Sequence, residues 1–286
     1  MANNIQAAKK YLPVLDEIYK LNSLTAVLDG NPELVREGAN AGELLIAKLS
    51  MQGLADYNRN TGYVDGDVTL EWETIKADYD RGRMFSVDNV DNQDSADVAF
   101  GQLANEFIRT KVTPELDATR FAKYAQTSGV GKASGALDDG AKVIAAIRKA
   151  VTTMDEAEVP AEGRILFITP TLKGLVDDLD TNKSREVLKK FAEIKEVPQS
   201  RFYTQITLTP NAAGGYTKTA TTGKEINFMI VHPTATVQFP KHVAPKVVTP
   251  EQNQNADAYK FGYRIVGVAK VKENKVSGIY VHEGTK

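Results

Sequence analysis

Val68-Thr69-Leu70-Glu71-Trp72-Glu73 alternates apolar and polar side chains without a break. A period of two places Val68, Leu70 and Trp72 on one face of a strand and the threonine and two glutamates on the other. Turn formers surround it, at Asn58 to Gly62 and Asp65-Gly66 on one side and Asp78 to Gly82 on the other. The stretch from Gly53 to Val87 therefore reads as two strands with long, charged, glycine-containing connections, a hairpin with little local core to rest on. An isolated hairpin is marginal in water, so we expect it to borrow stability from a neighbour; an ordinary edge hairpin packed on its own domain stays open as the alternative. Trp72 could stack on a ligand, but on an alternating strand it reads better as packing, within the subunit or across a subunit boundary.

Upstream of this stretch, Tyr11, Leu12, Val14, Leu15, Ile18, Tyr19 and Leu21 recur at helical spacing before the turn-prone Leu28 to Pro32, which predicts an arm with a short helix. A short strand is expected over Glu43 to Leu49. Downstream the period changes to about 3.6: Phe100, Leu103, Phe107, Ile108, Val112, Leu116, Phe121 and Tyr124 share one broad face. From Ser95 to Gln126 such a helix would run about 48 Å, and Pro114 inside it predicts a kink or break near Thr110 to Pro114. A glycine-rich loop, Gly129 to Gly135, leads to an amphipathic helix through Val143, Ile144, Ile147 and Val151. Arg164 to Thr169 reads as a short apolar strand, with Thr169-Pro170 capping the helix that follows. A helix near Arg185 to Lys195, a strand over Arg201 to Leu208, a turn at Pro210 to Gly215 and a buried strand over Ile226 to Val231 come next. Strands dominate from Thr234 to His282, with Gly267 marking a bulge or a close backbone approach. The fold class is α+β, with strands from both ends embracing a middle α/β region.

The chain has 286 residues, 42% hydrophobic and 25% charged, an ordinary globular composition. Its formal net charge is -2, so no global field draws it to nucleic acid or an anionic membrane. It contains no cysteine, which removes disulfides and thiol chemistry and suits a reducing compartment. No apolar run approaches the roughly 20 residues of a membrane span, and the start carries no secretory pattern.

Catalytic constellations are hard to find. Gly129-Val130-Gly131-Lys132 invites a phosphate-loop reading, but a nucleotide loop needs glycine where Gln126 stands and a hydroxyl where Ala133 stands. His232, His242 and His282 form no metal-ligand spacing. The pairs Asp138-Asp139 and Asp177-Asp178 are adjacent, so on a helix they diverge by about 100 degrees and cannot form a dyad. No catalytic, cofactor-binding or metal residues are assigned; a cytoplasmic α+β enzyme with a site between Ile165 and Leu208 would need a convergent ionisable cluster that the sequence does not offer.

Three runs carry a resemblance along nearly the whole chain: Gly53 to Tyr63 with Asp80 to Asp88 and Asp91; Pro114-Glu115-Leu116-Asp117-Ala118-Thr119-Arg120-Phe121-Ala122; and Gly278-Ile279-Tyr280-Val281-His282. They resemble, in turn, the extended loop and its return, the end of the spine helix and the closing strand of major capsid proteins of tailed bacteriophages and prophages, the Hong Kong 97 type. The resemblance implies a structural subunit that self-assembles into an icosahedral head shell around double-stranded DNA in the virion, built in the host cytoplasm. An encapsulin-type compartment shell is the alternative within the fold. By position, residues 1–42 would be the N-terminal arm and 43–127 would hold the extended loop (about 50–87) and the spine helix of the peripheral domain. Residues 128–232 would be the axial domain and 233–286 the peripheral return strands. Implied partners are further copies in pentamers and hexamers, a portal protein, DNA held without sequence specificity, and a separate scaffolding protein, because no long helical scaffolding segment precedes the arm. Tyr63, Trp72, Lys76, Arg81 and Arg83 are the expected interface residues of the extended loop. Some members cross-link covalently through an extended-loop lysine; Lys76 is the lysine of this region, and no partner asparagine is matched.

Overall fold

The structure, a computed structural model, describes residues 23–30, 36–37, 43–60, 62–77, 79–89, 98–179, 182–210 and 213–285. The arm helix expected over Tyr11 to Leu21 and the helix entry around Asp91 lie outside these residues. In chain order the elements are β1 (Arg36–Glu37), β2 (Glu43–Met51), β3 (Val68–Lys76), β4 (Tyr79–Asp88), α1 (Val98–Phe107), α2 (Thr113–Gln126), β5 (Gly131–Ser134), α3 (Gly140–Glu156) and β6 (Ile165–Ile168). They continue with α4 (Pro170–Asp177), α5 (Asn182–Leu188), β7 (Glu193–Glu196), β8 (Ile206–Leu208), β9 (Tyr216–Lys218), β10 (Ile226–Val231), β11 (Thr236–Val248), β12 (Ala258–Val271) and β13 (Ile279–Glu283).

A five-stranded sheet in the order β5-β13-β10-β6-β7 forms the middle of the molecule. Its three central strands, β13, β10 and β6, are largely apolar without alternation because both faces are covered. Phe167, Met229, Val231 and Val281 face α2 and pack with Phe121, Tyr124 and Phe202, whereas Leu166, Ile168, Phe228, Ile230 and Tyr280 face α3 and α4 and meet Val143, Ile147, Leu172 and Val176. Phe121 meets Phe167 and Phe202 edge-on at 5.1 and 4.9 Å. Burial of each such side chain stabilises by about 1.5–3 kcal/mol.

Four expectations change here. Residues 131–134 form the edge strand β5, parallel to β13, instead of a loop: Gly131 lets the Tyr280 ring lie on its backbone, where a Cβ would come within 2.7 Å of the ring. The expected helix through Lys195 stops at Leu188, and Glu193–Glu196 adds to β6 as a parallel edge strand, the fit for one inward apolar residue among three charges. The closing strand, grouped by position with the return strands of 233–286, pairs with β10 and β5, because Ile279, Tyr280 and Val281 need cover on both faces. The strand expected from Arg201 shortens to Ile206–Leu208 after a 3-10 turn that tucks Phe202 into the core.

A second sheet runs β11-β12-β4. The residues from Tyr79 onward, read as a turn, begin β4, which keeps ten register pairs with β12 from Gly267↔Tyr79 to Ala258↔Asp88. Phe261, Tyr263 and Ile265 on the inner face pack with Ile108, Val112 and Leu116 of the long helix. That helix does not break at Pro114 but changes its hydrogen bonding just ahead of it. Residues Ile108–Val112 form a π-helical turn, the Thr113 amide donates to the Ile108 carbonyl, and Pro114 falls in the first turn of α2. The irregularity expected at Gly267 falls opposite it, in β11 between Pro240 and His242.

Candidate assembly interface

β2 and β3 pair antiparallel over nine positions, from Glu43↔Lys76 to Met51↔Val68, and about 30 Å of strand follows from nine residues. Strand parity divides the hairpin into two faces. Ile46, Lys48, Glu73 and Ile75 share one, and it is the face that touches the body. Ile75 and Ile46 pack with Val237, Phe239 and Val268, Lys48 pairs with Glu273 at 3.2 Å, and Glu73 pairs with Lys270. The opposite face carries the register pairs Met51↔Val68, Leu49↔Leu70 and Ala47↔Trp72. Its side chains stay open to solvent: Val68 is 69% exposed, Met51 65%, Leu70 57%, Leu49 51% and Trp72 41%. Among the described residues, the hairpin thus rests on its own domain through this one face and turns an apolar ladder away from it, an exposed surface of the kind that marks an interaction site.

The tip, residues 52–67, is closed at its neck by Gln52 and Asp67, whose backbone and side chains hydrogen-bond one another. Asn58 and Gly62 form an isolated bridge, with Gly62 at φ 83, a left-handed conformation suited to glycine. Tyr57 and Tyr63 meet edge-on at 4.9 Å, yet both stay exposed, as do Leu54 and Val64.

The five expected interface residues separate into two groups. Tyr63 is on the tip, Trp72 is in the apolar ladder, and Lys76 is exposed at the foot of the same face. Arg81 and Arg83 lie beyond the hairpin, on β4. Arg81 donates from Nε to Glu115 on α2 at 2.8 Å and from its guanidinium to the Thr209 carbonyl at 3.0 Å, so it braces elements of its own subunit. The Arg83 guanidinium stands 5.8 Å from the centroid of the Phe85 ring.

One cluster went unread in the sequence. Asp117 on α2 is fully buried and accepts from Ser23 Oγ and Thr25 Oγ1, each at 2.7 Å, and from the backbone amides of Leu24 and Thr25 at 3.0 and 3.3 Å. Arg120 donates to Thr25 Oγ1 at 2.8 Å and pairs with Asp29 at 3.2 Å. Gln238 on β11 accepts from the Tyr124 hydroxyl and donates to Asp29 at 2.8 Å, and burial pushes the Tyr124 phenol well above its ordinary range. Together they clamp residues 23–30 onto the long helix. A buried Asp and Arg on a helix face was the available signal, but their partners lie about ninety residues away.

The ionisable groups singled out for chemistry take structural places. Asp139 caps α3, and Asp138 pairs with Lys142 at 2.6 Å. Asp177 pairs with Lys173. The His282 ring stacks on Phe228 at 5.1 Å and meets Asn227 at 3.0 Å, and burial lowers its pKa. His232 holds Thr234 and the Glu162 carbonyl, with its pKa also lowered by burial; His242 is exposed on β11. Among the described residues no group of three or more His, Asp or Glu side chains could hold a metal ion, and no helix is long and apolar enough to cross a membrane.

No family profile matches the chain, and none of the curated proteins compared with it matches. Solved structures do. The virus-like particle from Pyrococcus furiosus aligns at a TM-score of 0.58 with 13% identity over 97% of this chain and 99% of that one. The capsid of the cyanophage P-SCSP1u aligns at 0.57 with 14% identity over 88% and 86%, and the capsid of the Myoviridae phage XM1 at 0.54 with 13% identity over 91% and 90%. The chain has the fold of phage capsid subunits. The likeness extends over most of the length on both sides.

Proposed function

We propose that this protein is the major capsid protein of a tailed phage or prophage, a non-enzymatic subunit whose copies close into an icosahedral head shell of the Hong Kong 97 type. The observation that carries the reading, beside the shared fold, is the hairpin whose body-facing side is polar beyond its base and whose outward side is the ladder Leu49, Met51, Val68, Leu70 and Trp72. In this reading β2 and β3 are the extended loop, α1 and α2 with the β11-β12-β4 sheet are the peripheral domain, and the five-stranded sheet is the core of the axial domain. The segment 23–30 is the root of the N-terminal arm. Tyr63, Trp72 and Lys76 are interface residues, and Arg81 serves from within by fixing β4 to the helix.

A shell needs many contacts that are each modest and together durable, made by different surfaces of neighbouring copies so that rings close. A hairpin of strands about 30 Å long, with one apolar face turned away from the body, provides such a surface. The near-neutral charge suits a wall that encloses DNA without holding it, since phosphate binding scales with the cations presented. A separate scaffolding protein and a portal protein complete the assembly in the host cytoplasm.

Negative-stain electron microscopy and size-exclusion chromatography of the protein, expressed alone and with candidate scaffolds, test the proposal. Shells, tubes or rings of five and six are expected; a monomer or dimer under every condition sinks it. Nuclease-protected double-stranded DNA in particles purified from producing cells is the expected content, and protein cargo without DNA would instead favour an encapsulin-type compartment.

A further inference from the structure

β5 is the edge of the central sheet and has β13 as its strand partner, in register from Gly131↔Tyr280 to Ser134↔Glu283. Within this short pairing His282 of β13 stands opposite Ala133 of β5. The ring is buried and stacks on Phe228 of β10 at 5.1 Å. Asn227 falls at an irregularity in the β10–β13 register, between Ile226 and Phe228, the kind of place where a bulge re-aims a side chain. Its amide nitrogen donates to the Gly135 carbonyl, just past β5, at 3.2 Å and meets His282 Nδ1 at 3.0 Å. An amide nitrogen has two hydrogens and no acceptor capacity. One hydrogen serves Gly135 and the other serves Nδ1, so the ring in this arrangement is neutral and carries its proton on Nε2.

We propose that His282 and Asn227 form a proton-operated lock on β5, closed while the ring is neutral and released from the Gly135 end when the ring takes up a second proton. The lock goes beyond the shell reading and does not depend on it. A proton added at Nδ1 would face the amide hydrogens of Asn227. Turning the amide over would offer its oxygen to the new N–H but set that oxygen against the Gly135 carbonyl, so a charged ring and Gly135 cannot both stay bonded to Asn227. The surrounding charges do not relieve this conflict. Phe228, Ala133 and Gly135 carry none, and Lys132 projects from the other face of β5. Glu283, next along β13, favours the charged ring but is paired with Lys224 at 3.0 Å, and Glu225, just before β10, pairs with Lys218 at 3.7 Å. Where the chain runs on from β5 into α3, Asp138 pairs with Lys142 at 2.6 Å and Asp139 caps the helix. Burial outweighs Glu283 and lowers the pKa of the ring. Opening β5 uncovers the ring and returns it to an ordinary pKa of about 6.5, so the closed strand is fully favoured above that value and loses up to about tenfold in its favour for each pH unit below it.

Hydrogen-exchange mass spectrometry of the full chain, corrected for intrinsic exchange and compared at about pH 7.5 and about pH 5, reads the lock on either side of the ordinary histidine pKa. Protection of the segment 131–135 should fall by at least about fivefold at the lower pH, towards a ceiling of about thirtyfold set by the tenfold-per-unit rule. His282→Gln keeps an acceptor for Asn227 but cannot take the proton, so its protection there should not respond to pH. His232→Gln leaves the lock intact and should respond as wild type does. No response in wild type, an equal response in His282→Gln, or a response lost in His232→Gln as well overturns the lock. Nitrogen NMR of the wild-type histidine rings gives a reading that needs no variant: His282 should carry its proton on Nε2 with Nδ1 bare at neutral pH, and the opposite tautomer or a charged ring overturns the assignment.

Discussion

Replacing Asp117 with alanine should detach the segment 23–30 from the long helix. The carboxylate is 0% exposed and is the common acceptor for Ser23 Oγ, Thr25 Oγ1 and the amides of Leu24 and Thr25 at 2.7 to 3.3 Å, with Arg201 at 3.4 Å. Each buried donor left without a partner costs about 1–3 kcal/mol. The four costs do not sum, because the segment can peel away and return its donors to water; the expected loss is then about 3–5 kcal/mol, that of breaking a buried charged network from one side. Asp117→Asn keeps the shape and part of the acceptor capacity, so about 1–3 kcal/mol is expected there. Urea denaturation of the unassembled subunit reads the stability, and hydrogen-exchange mass spectrometry reads the segment, where amides 24–30 should lose protection while the central sheet keeps it. A loss below about 1 kcal/mol for the alanine variant with unchanged exchange at 24–30 would refute the clamp.

Leu70→Glu, on the outer face of the hairpin, should leave the isolated subunit within about 0.5 kcal/mol of wild type yet cut particle yield, since a buried leucine contributes about 1.5–3 kcal/mol at each contact; equal yield by size-exclusion chromatography would remove the ladder from the interface. Gly140→Ala puts a Cβ 2.2 Å from the Leu175 carbonyl oxygen, and because the neighbour is backbone the loss should reach or exceed the about 1–3 kcal/mol of ordinary overpacking, measured as a shifted urea midpoint. Burial depresses His282 and His232 below their ordinary 6.5. Between the unfolded and folded pKa the unfolded chain binds more protons, so stability is full above about 6.5 and falls as pH drops through that window. His282→Gln should flatten part of that slope in denaturation series taken at several pH values, and an unaltered slope would contradict it.

Local pattern was enough for β3, whose strict alternation shows one apolar face, for the Arg164 to Thr169 strand, whose unbroken apolar run means cover on both sides, and for the irregular turn ahead of Pro114, where a missing amide hydrogen leaves little choice. These features are written in a few adjacent residues, and their physics acts over one or two turns. Tertiary structure decided what depends on distant partners. Gly131 becomes part of a strand only because Tyr280 lies beside it, the residues after Lys76 become β4 because β12 supplies ten partners, and Asp117 becomes an anchor because Ser23 and Thr25 come back to it across more than ninety positions. The hairpin belongs to both accounts: alternation in β3 defined its two faces, but its partner strand is β2, Glu43–Met51, and not a second strand within Gly53 to Val87, and which face turns away from the body was settled by Ile46 and Ile75 meeting Val237, Phe239 and Val268, a contact between elements that share no local code.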